Sequence, residues 1–375
     1  MEITFKLIDL IIVIGICQGI FLSLTLQRIS NNNQRANSIL SYLIALATLM
    51  LIGRFFYFRF LTPWIFQWSI AVDSLVFLFG PFIYLYVKRL LFKKQSSYSL
   101  SIIYFLPFFG MLFFAFFYII KYSPKAYYEY FLNGNLLFYF RIISVVMILF
   151  NMSYVLKSFQ LLAKFKQTEK EIFSFEQTPI VYLNFFLFSI LACLLAWTFS
   201  LLNSTIFDKI IPYIDYDNIW VAIPLFIYVI GYFSLKQPEL FRVSEEKQKS
   251  SLRKERLPET ETQLLKTKLD SLMINEKVFL QSDLTLADVS EMLQTSTNNL
   301  SWLLNQVYKT TFYDFINQFR VKEFLKKVEN KEHLKHTILA LSMDVGFNSK
   351  STFNKAFKNT MHDTPSNYIK KQLAA

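Results

Sequence analysis

Seven long apolar stretches in the first two-thirds of the sequence constrain this chain more than any other feature. Each is about 17–23 residues, the length that a helix rising 1.5 Å per residue needs to cross about 30 Å of hydrocarbon. Residues 1–243 also hold only 11 of the 27 acidic side chains. A water-soluble bundle is disfavoured because the stretches show few polar faces, and we expect a seven-helix membrane domain over residues 1–236. The stretches are Leu7–Leu26, Ile39–Phe58, Ile70–Leu90, Leu100–Ile120, Asn135–Leu156, Ile180–Leu202 and Ile219–Leu235.

Cations are concentrated in alternate loops, which predicts how the helices are oriented. The loop after span six instead carries Asp208, Asp215 and Asp217 against a single Lys209. Because basic loops stay in the cytoplasm, we expect a multi-pass protein of the cytoplasmic (inner) membrane with its N-terminus outside and its C-terminal domain in the cytoplasm. The cations after spans one, three and five are Arg28, Arg35, Lys88, Arg89, Lys93, Lys94, Lys157, Lys164, Lys166 and Lys170.

Arg54, Asp73 and Arg141 each lie inside an apolar stretch, in the outer part of its helix. A charge in a membrane helix costs a few kcal/mol unless it is paired or hydrated, so such residues commonly mark functional sites. We interpret them as a candidate signal site. The alternative is that Asp73 pairs with an arginine only to fix helix packing, or that the arginines extend outward to the interface.

A charged linker without apolar rhythm is predicted at residues 237–258, after Pro238 disfavours helix at Gln237. Pro258 and Glu259 suit the first turn of a new helix, and a lead-in helix is expected over 259–279. Its apolar stripe packs either on the domain that follows or on a second copy of the chain. The stripe consists of Leu264, Leu265, Leu269, Leu272 and Met273.

The stretch from Thr337 to Tyr368 predicts two short helices joined by a tight turn. Thr337 and Ser349 are suited to cap them, and Gly346 stands where the first must end. The second helix buries Phe353, Ala356 and Phe357 at helical spacing, and its other face carries short polar side chains mixed with cations. Such a face fits the major groove of DNA, although a solvated surface helix would show the same pattern.

A second unit of the same kind lies upstream. Thr285 and Asp288 form a capping pattern at the start of a helix, and a turn at Gln294–Ser296 leads to a helix over Asn298–Tyr308. One connecting helix is expected between the two units because apolar residues recur there at steps of three and four. They are Phe312, Phe315, Ile316, Phe319, Phe324, Leu325 and Val328.

Both units together resemble the double helix-turn-helix domain of the AraC (AraC/XylS) family, over residues 280–372. The resemblance implies that the helix after each turn enters a major groove, the two lying about one helical turn of DNA apart. It implies DNA contacts by Asn298, Ser301, Trp302, Lys350, Ser351, Asn354 and Lys355, and phosphate contacts by Lys309, Arg320 and Lys358. The signature residues are Gly346, Phe347, Asn348, Ser349, Phe353, Phe357, Lys358, Thr364, Pro365, Ser366 and Tyr368.

The sequence departs from the family pattern at two turns. His362 replaces a glycine that is common before Thr-Pro, and Gln294 stands where a small residue is common. Neither change removes a residue expected to face DNA. Trp302 keeps two interpretations, a base contact or a core residue.

No catalytic or metal-binding pattern accompanies these motifs. The three histidines lack the spacing of a metal site, and Cys17 and Cys193 lie in apolar stretches. We therefore predict neither an enzyme nor a bound metal or cofactor.

The predicted fold class is all-α: a seven-transmembrane helix bundle followed by a cytoplasmic all-helical domain with two helix-turn-helix units. The predicted function is a membrane-bound, one-component transcription regulator. In it the bundle senses a small-molecule or lipid signal and the tail binds promoter DNA. Compatible partners besides the bilayer are a second copy of the chain and RNA polymerase. Alternatives are a transporter-like or purely anchoring bundle with a DNA-binding tail, and proteolytic release of the tail from residues 242–258.

Overall fold

The fold is described from a computed structural model of the chain. It describes residues 7–28, 34–93, 101–175, 179–207 and 258–374, together with 222–223, 226–227, 229, 233 and 243–244. The chain forms two compact units. Unit 1 comprises residues 1–163 and 178–242, and unit 2 comprises residues 164–177 and 243–375.

Unit 1 is built from helices, and six stretches in the described part of the chain are long and apolar enough to cross a membrane. These stretches are Asp9–Arg28, Gln34–Phe60, Pro63–Leu91, Ile102–Lys121, Leu137–Ile172 and Tyr182–Ile206. They match the first six predicted spans in order. The seventh predicted span, Ile219–Leu235, lies mostly outside the described residues.

Among the described residues, the helices that begin in unit 1 are α1 (Leu7–Arg28), α2 (Gln34–Phe60), α3 (Pro63–Asp73), α4 (Val76–Leu91), α5 (Leu106–Lys121), α6 (Pro124–Leu132), α7 (Leu137–Ile172) and α8 (Pro179–Ile206). A 3-10 turn covers Ile102–Phe105, and Phe92–Lys93 form a two-residue strand. The α6 helix was not predicted. Ser123 caps it by accepting a hydrogen bond from the Ala126 amide, and Pro124 occupies its first turn.

The third span is two helices rather than one. Thr62 caps the start of α3, which ends at Asp73 with Ser74 as its C-cap, and α4 begins at Val76 and contains Pro81. In the turn before Pro81, the side chain of Asn151 on α7 bonds both backbone groups. Its Oδ1 accepts from the Gly80 amide at 2.8 Å, and its Nδ2 donates to the Val76 carbonyl at 3.3 Å. The amide of Asn151 therefore satisfies polar backbone groups that an apolar surrounding would leave costly.

The α7 helix is much longer than the predicted span, which ended at Leu156. It continues to Ile172, and its residues from Lys164 onward belong to unit 2. The sequence beyond Leu156 is charged but contains good helix formers, so the helix continues after the apolar stretch ends.

The described part of unit 2 forms seven further helices: α9 (Glu259–Ile274), α10 (Leu286–Met292), α11 (Thr297–Gln306), α12 (Phe312–Glu329), α13 (Ile338–Asp344), α14 (Lys350–Met361) and α15 (Pro365–Ala374). Short 3-10 turns cover Val278–Leu280 and Glu332–Leu334, and Val243–Ser244 form a two-residue strand.

Two apolar cores share α12. The first core joins α9, α10, α11 and the start of α12, and the second joins the end of α12 to α13, α14 and α15. The lead-in helix α9 therefore packs on its own domain through Leu265, Leu269, Leu272 and Met273. A hydrogen bond of 2.6 Å from the Tyr308 hydroxyl to Asp270 also fixes α9.

Candidate functional site

The second pair of helices in unit 2, α13 and α14, has the predicted geometry. The hydroxyl of Thr337 accepts a hydrogen bond from the Ala340 amide, and that of Ser349 accepts one from Thr352. Between the helices Gly346 has a positive φ of 96°. Phe347 follows and is only 1% exposed, so it fills the centre of the turn.

One face of α14 is buried and the other is free of the core. Phe353, Ala356 and Phe357 lie in the second core. The predicted contact residues Lys350, Ser351, Asn354 and Lys355 are all exposed, as is Lys358 one turn further on. This surface presents three cations and two short polar side chains, a composition suited to phosphates and base edges.

The first pair of helices, α10 and α11, has the predicted capping box. The Thr285 hydroxyl accepts from the Asp288 amide, and the Asp288 carboxylate accepts from the Thr285 amide at 2.8 Å. Gln294 takes a left-handed conformation in the turn, with φ 53°. Glutamine is not branched at Cβ and enters that region at a lower cost than a β-branched residue, so it does not prevent the turn.

The predicted contact residues on α11 differ in exposure. Asn298 is exposed, whereas Ser301 and Trp302 are half-buried. Trp302 packs against the first core, and the Ser301 hydroxyl accepts a hydrogen bond from Asn305 at 3.4 Å. Of the two interpretations of Trp302, a core residue is the one that this packing favours.

Residues 289–371, which run from within α10 to within α15, match the family model described as a helix-turn-helix domain. The match is to the AraC type. This part of the chain is an AraC-type helix-turn-helix domain. Searches of curated proteins and of solved structures found no match to the chain. The AraC-type domain indicates DNA binding and a role in regulating transcription, with DNA as the partner.

His362 replaces the usual glycine of the AraC-type domain without loss of the turn. It ends α14 in a left-handed conformation, with φ 55° and ψ 18°. Next to it, the Asp363 carboxylate accepts hydrogen bonds from Lys371 and from the Thr364 amide, both at 2.7 Å. These bonds hold the pKa of Asp363 below its usual range. The local bonds after His362 thus fix the direction in which α15 begins.

The three predicted phosphate contacts of the AraC-type domain do not share one environment. Lys309 and Lys358 are exposed, whereas Arg320 on α12 is 0% exposed. The Nε of Arg320 donates to the Phe279 carbonyl at 2.7 Å, and Nη2 donates to the Gln281 carbonyl. Burial lowers the pKa of its guanidinium to about 10. The expectation that Arg320 contacts phosphate is therefore wrong for this conformation, because its donors are already used inside the domain.

A cavity in unit 1 contains two of the three charged residues singled out as a signal site. Its volume is about 290 Å³, and Arg54 and Asp73 line it together with aromatic side chains. Arg54 and Asp73 form an ion pair, with their side chains 5% and 23% exposed. The third residue, Arg141, donates to the Ser204 carbonyl at 3.2 Å and does not line this cavity.

A polar group beside this ion pair is buried and unbonded. Tyr127 on α6 lines the same cavity and is 1% exposed, and its hydroxyl oxygen has no hydrogen-bond partner among the described residues. Buried hydroxyls are normally hydrogen-bonded, so this one has capacity for a ligand or water. The sequence did not single out Tyr127, because a tyrosine in an aromatic stretch carries no distinctive signal.

Proposed function

We propose that this chain is a membrane-bound, one-component transcription regulator that senses a signal in its helix bundle and binds promoter DNA through its AraC-type domain. The observation that carries the proposal is the presence, in one chain, of that domain and of six helices long and apolar enough to cross a membrane.

In the DNA complex, α11 and α14 enter successive major grooves. Asn354 is suited to an adenine edge, and Lys350 and Lys355 are suited to guanine edges or phosphate. The proposed set of base contacts also includes Ser351, Asn298, Ser301 and Trp302. The packing of Trp302 against the first core restricts the movement of its ring toward DNA. Lys309 and Lys358 remain the proposed phosphate contacts, because both are exposed.

The proposed domain order is a membrane domain over 1–236, a linker over 237–258, the lead-in helix over 259–279 and the DNA-binding domain over 280–372. The proposed topology has the N-terminus outside and the C-terminus in the cytoplasm. It is supported by the basic residues of alternate loops. A reporter fused after Ala375 that is active only outside the cell would contradict this topology.

The proposed signal is a small molecule or lipid that binds in the cavity at Arg54 and Asp73. The cavity supports this because a paired charge and the free Tyr127 hydroxyl lie together in an apolar, aromatic surrounding. Arg141 belongs to the bundle but does not line this cavity, so it is not assigned a contact with the signal. Binding of the signal would shift helix packing or dimerisation, and RNA polymerase would be the partner at the promoter.

The DNA-binding part of the proposal is tested by mapping where the full-length protein binds across the genome. Lys350→Ala and Asn354→Ala are expected to abolish specific peaks, since each base contact contributes about 1–3 kcal/mol. Matched controls are Lys370→Ala and Asn359→Ala, which change exposed residues of the same types outside the proposed contact set. Equal loss in controls and contact variants would reject the assigned interface.

The sensing part is tested by exchanging residues 1–236 for an unrelated membrane anchor. Under the proposal, the exchanged protein still binds DNA. A reporter gene placed under a target promoter, however, no longer responds to growth conditions. A response that survives the exchange would favour the anchor alternative instead.

A further inference from the structure

A short segment after α7 is part of the fold of unit 2. Phe173 forms an antiparallel bridge with Thr285, the residue that caps α10. The Ser174 amide donates to the Leu284 carbonyl at 3.3 Å, and the Ser174 hydroxyl donates to the same carbonyl at 2.7 Å. The segment thus pairs with the start of the first helix-turn-helix unit.

The same serine also contacts the connecting helix α12. The Ser174 carbonyl accepts from Asn317 Nδ2 and from Arg320 Nη1, each at 3.1 Å, and its hydroxyl accepts from Arg320 Nη2 at 3.2 Å. Ser174 and Arg320 are 0% exposed and Asn317 is 2% exposed. Ser174 is therefore enclosed between the first helix-turn-helix unit and the helix that joins the two units.

The guanidinium of Arg320 makes the contact energetically significant. An arginine has five N–H donors, and here the carbonyls of Phe279 and Gln281, the Asn317 side chain and Ser174 accept from all three of its nitrogens. Two of these five bonds end on Ser174. If the segment withdrew, two donors of a buried cation would lose their partners, which is costly in an apolar surrounding.

We propose that residues 173–175 are an interaction element of the AraC-type domain that holds it in the form competent to bind DNA, with the surface around Asn317 and Arg320 as its docking site. Because α7 runs without interruption to Ile172, a rotation or translation of α7 moves Ser174 and changes the support of α12. Since α12 sets the position of one helix-turn-helix unit relative to the other, a change in its support changes the affinity for DNA.

The buried bonds of Ser174 favour a supporting role over an inhibitory one. Withdrawal of the segment would leave two donors of the Arg320 guanidinium without these partners, so the docked segment stabilises the connecting helix. The docked residues Phe173, Ser174 and Phe175 are uncharged.

A disulfide tests whether the docked state is populated, independently of DNA. Residues paired in an antiparallel bridge have Cα atoms about 4.5–5.5 Å apart, within the range of a disulfide. In a full-length chain with Cys17→Ala and Cys193→Ala, held in nanodiscs, Phe173→Cys and Thr285→Cys together are expected to cross-link under mild oxidation. Failure to cross-link would overturn the proposal. Thr285→Cys alone controls for loss of the cap.

The effect on DNA is measured with a duplex that the wild-type protein selects from a random-sequence pool. The oxidised pair is expected to bind it at least as tightly as the reduced pair. Ser174→Leu, which removes the hydroxyl and overfills the site, is expected to bind about tenfold more weakly. The matched control is Ser342→Ala, a 0% exposed serine whose hydroxyl bonds only within α13 to Leu339, and its affinity should stay within about twofold.

Weaker binding after oxidation, or wild-type binding by Ser174→Leu, would overturn the supporting role. Hydrogen exchange of α12 and α14 shows whether Ser174→Leu still folds, and the disulfide result stands even if it does not. The DNA readout rests on the proposed function. If the wild-type protein selects no sequence, the proposed function fails, while the cross-link still decides whether the segment docks.

Discussion

A β-carbon on Gly346 would lie 2.6 Å from the carbonyl oxygen of Phe279, so the turn between α13 and α14 packs directly against the backbone that precedes the first helix-turn-helix unit. The same carbonyl of Phe279 accepts a hydrogen bond from Arg320. One backbone group therefore connects the second turn, the connecting helix and the start of the domain.

Replacing Gly346 with alanine should destabilise unit 2 by about 3 kcal/mol, because the positive φ is strained and backbone atoms block the new methyl group. Hydrogen exchange of α13 and α14 in the full-length protein measures the loss. Gly134→Ala is the comparison, since Gly134 also has a positive φ of 79° but no atom within 4 Å of its β-carbon position. It should cost only about 1 kcal/mol, measured in unit 1. Similar costs at both positions would show that the close approach at Gly346 is unimportant.

Asn151→Leu should destabilise unit 1 by about 1–2 kcal/mol, because the Gly80 amide and the Val76 carbonyl would lose their side-chain partner in an apolar surrounding. Unfolding of the protein in detergent, followed by circular dichroism, measures the change. Ser158→Ala is the control, since this buried serine bonds only to Tyr154 within the same helix at 2.8 Å. If the two variants unfold alike, Asn151 does not support the turn before Pro81.

The salt dependence of DNA binding should separate the three cations once expected to contact phosphate. Lys309→Ala and Lys358→Ala should each lower the slope of log K against log salt by about 1, because each exposed lysine displaces roughly one counterion. Arg320→Met should lower the stability of unit 2. The protein that remains folded should show the same slope of log K against log salt as the wild type. Titrations of the selected duplex at several salt concentrations test this. A reduced slope for the arginine variant would restore it as a phosphate contact.

Acid should weaken unit 2 through Glu323 on α12. Burial alone would raise the pKa of Glu323, but hydrogen bonds from Lys277 at 2.6 Å and Lys326 at 3.3 Å outweigh it and the pKa lies below its ordinary value of 4.5. The folded protein therefore favours the ionised form of Glu323. The stability that this carboxylate contributes is fully present above pH 4.5 and is lost as the pH falls through the lower pKa of the folded state.

The measurement for Glu323 is hydrogen exchange of α12 as a function of pH. Glu323→Gln should lower stability at pH 7 and flatten the dependence below pH 4.5. Glu329→Gln, at the exposed end of the same helix, is the control. A steep acid transition that persists in Glu323→Gln would assign the pH dependence to other groups.

Local chemistry explains why the helix starts of unit 2 could be predicted. Thr285, Thr337 and Ser349 each cap a helix through the amide three residues further on, so the bond depends on neighbours visible in the sequence. The buried face of α14 followed in the same way from its helical spacing. The roles of the exposed residues on the opposite face of α14 remain predictions.

Features that depend on distant partners could not be read in this way. Arg320 carries a charge that suggests phosphate, but its acceptors on Phe279 and Gln281 lie about 40 residues away in the chain. Ser174 has no motif of its own, and its partners on α12 are more than 140 residues away. The extension of α7 past Leu156 was missed because an apolar stretch shows which residues can cross the membrane. It does not show how far the helix continues beyond them.

Unit 2 is assembled from two separate parts of the chain, residues 164–177 and 243–375, so the polypeptide passes between the units three times. A protease that cut once within residues 242–257 would therefore not liberate a soluble fragment. The severed piece would stay attached through the bonds of Ser174 to Leu284, Asn317 and Arg320. Release of the DNA-binding domain would then require two steps. The backbone is cleaved first, and Ser174 must then dissociate from its partners.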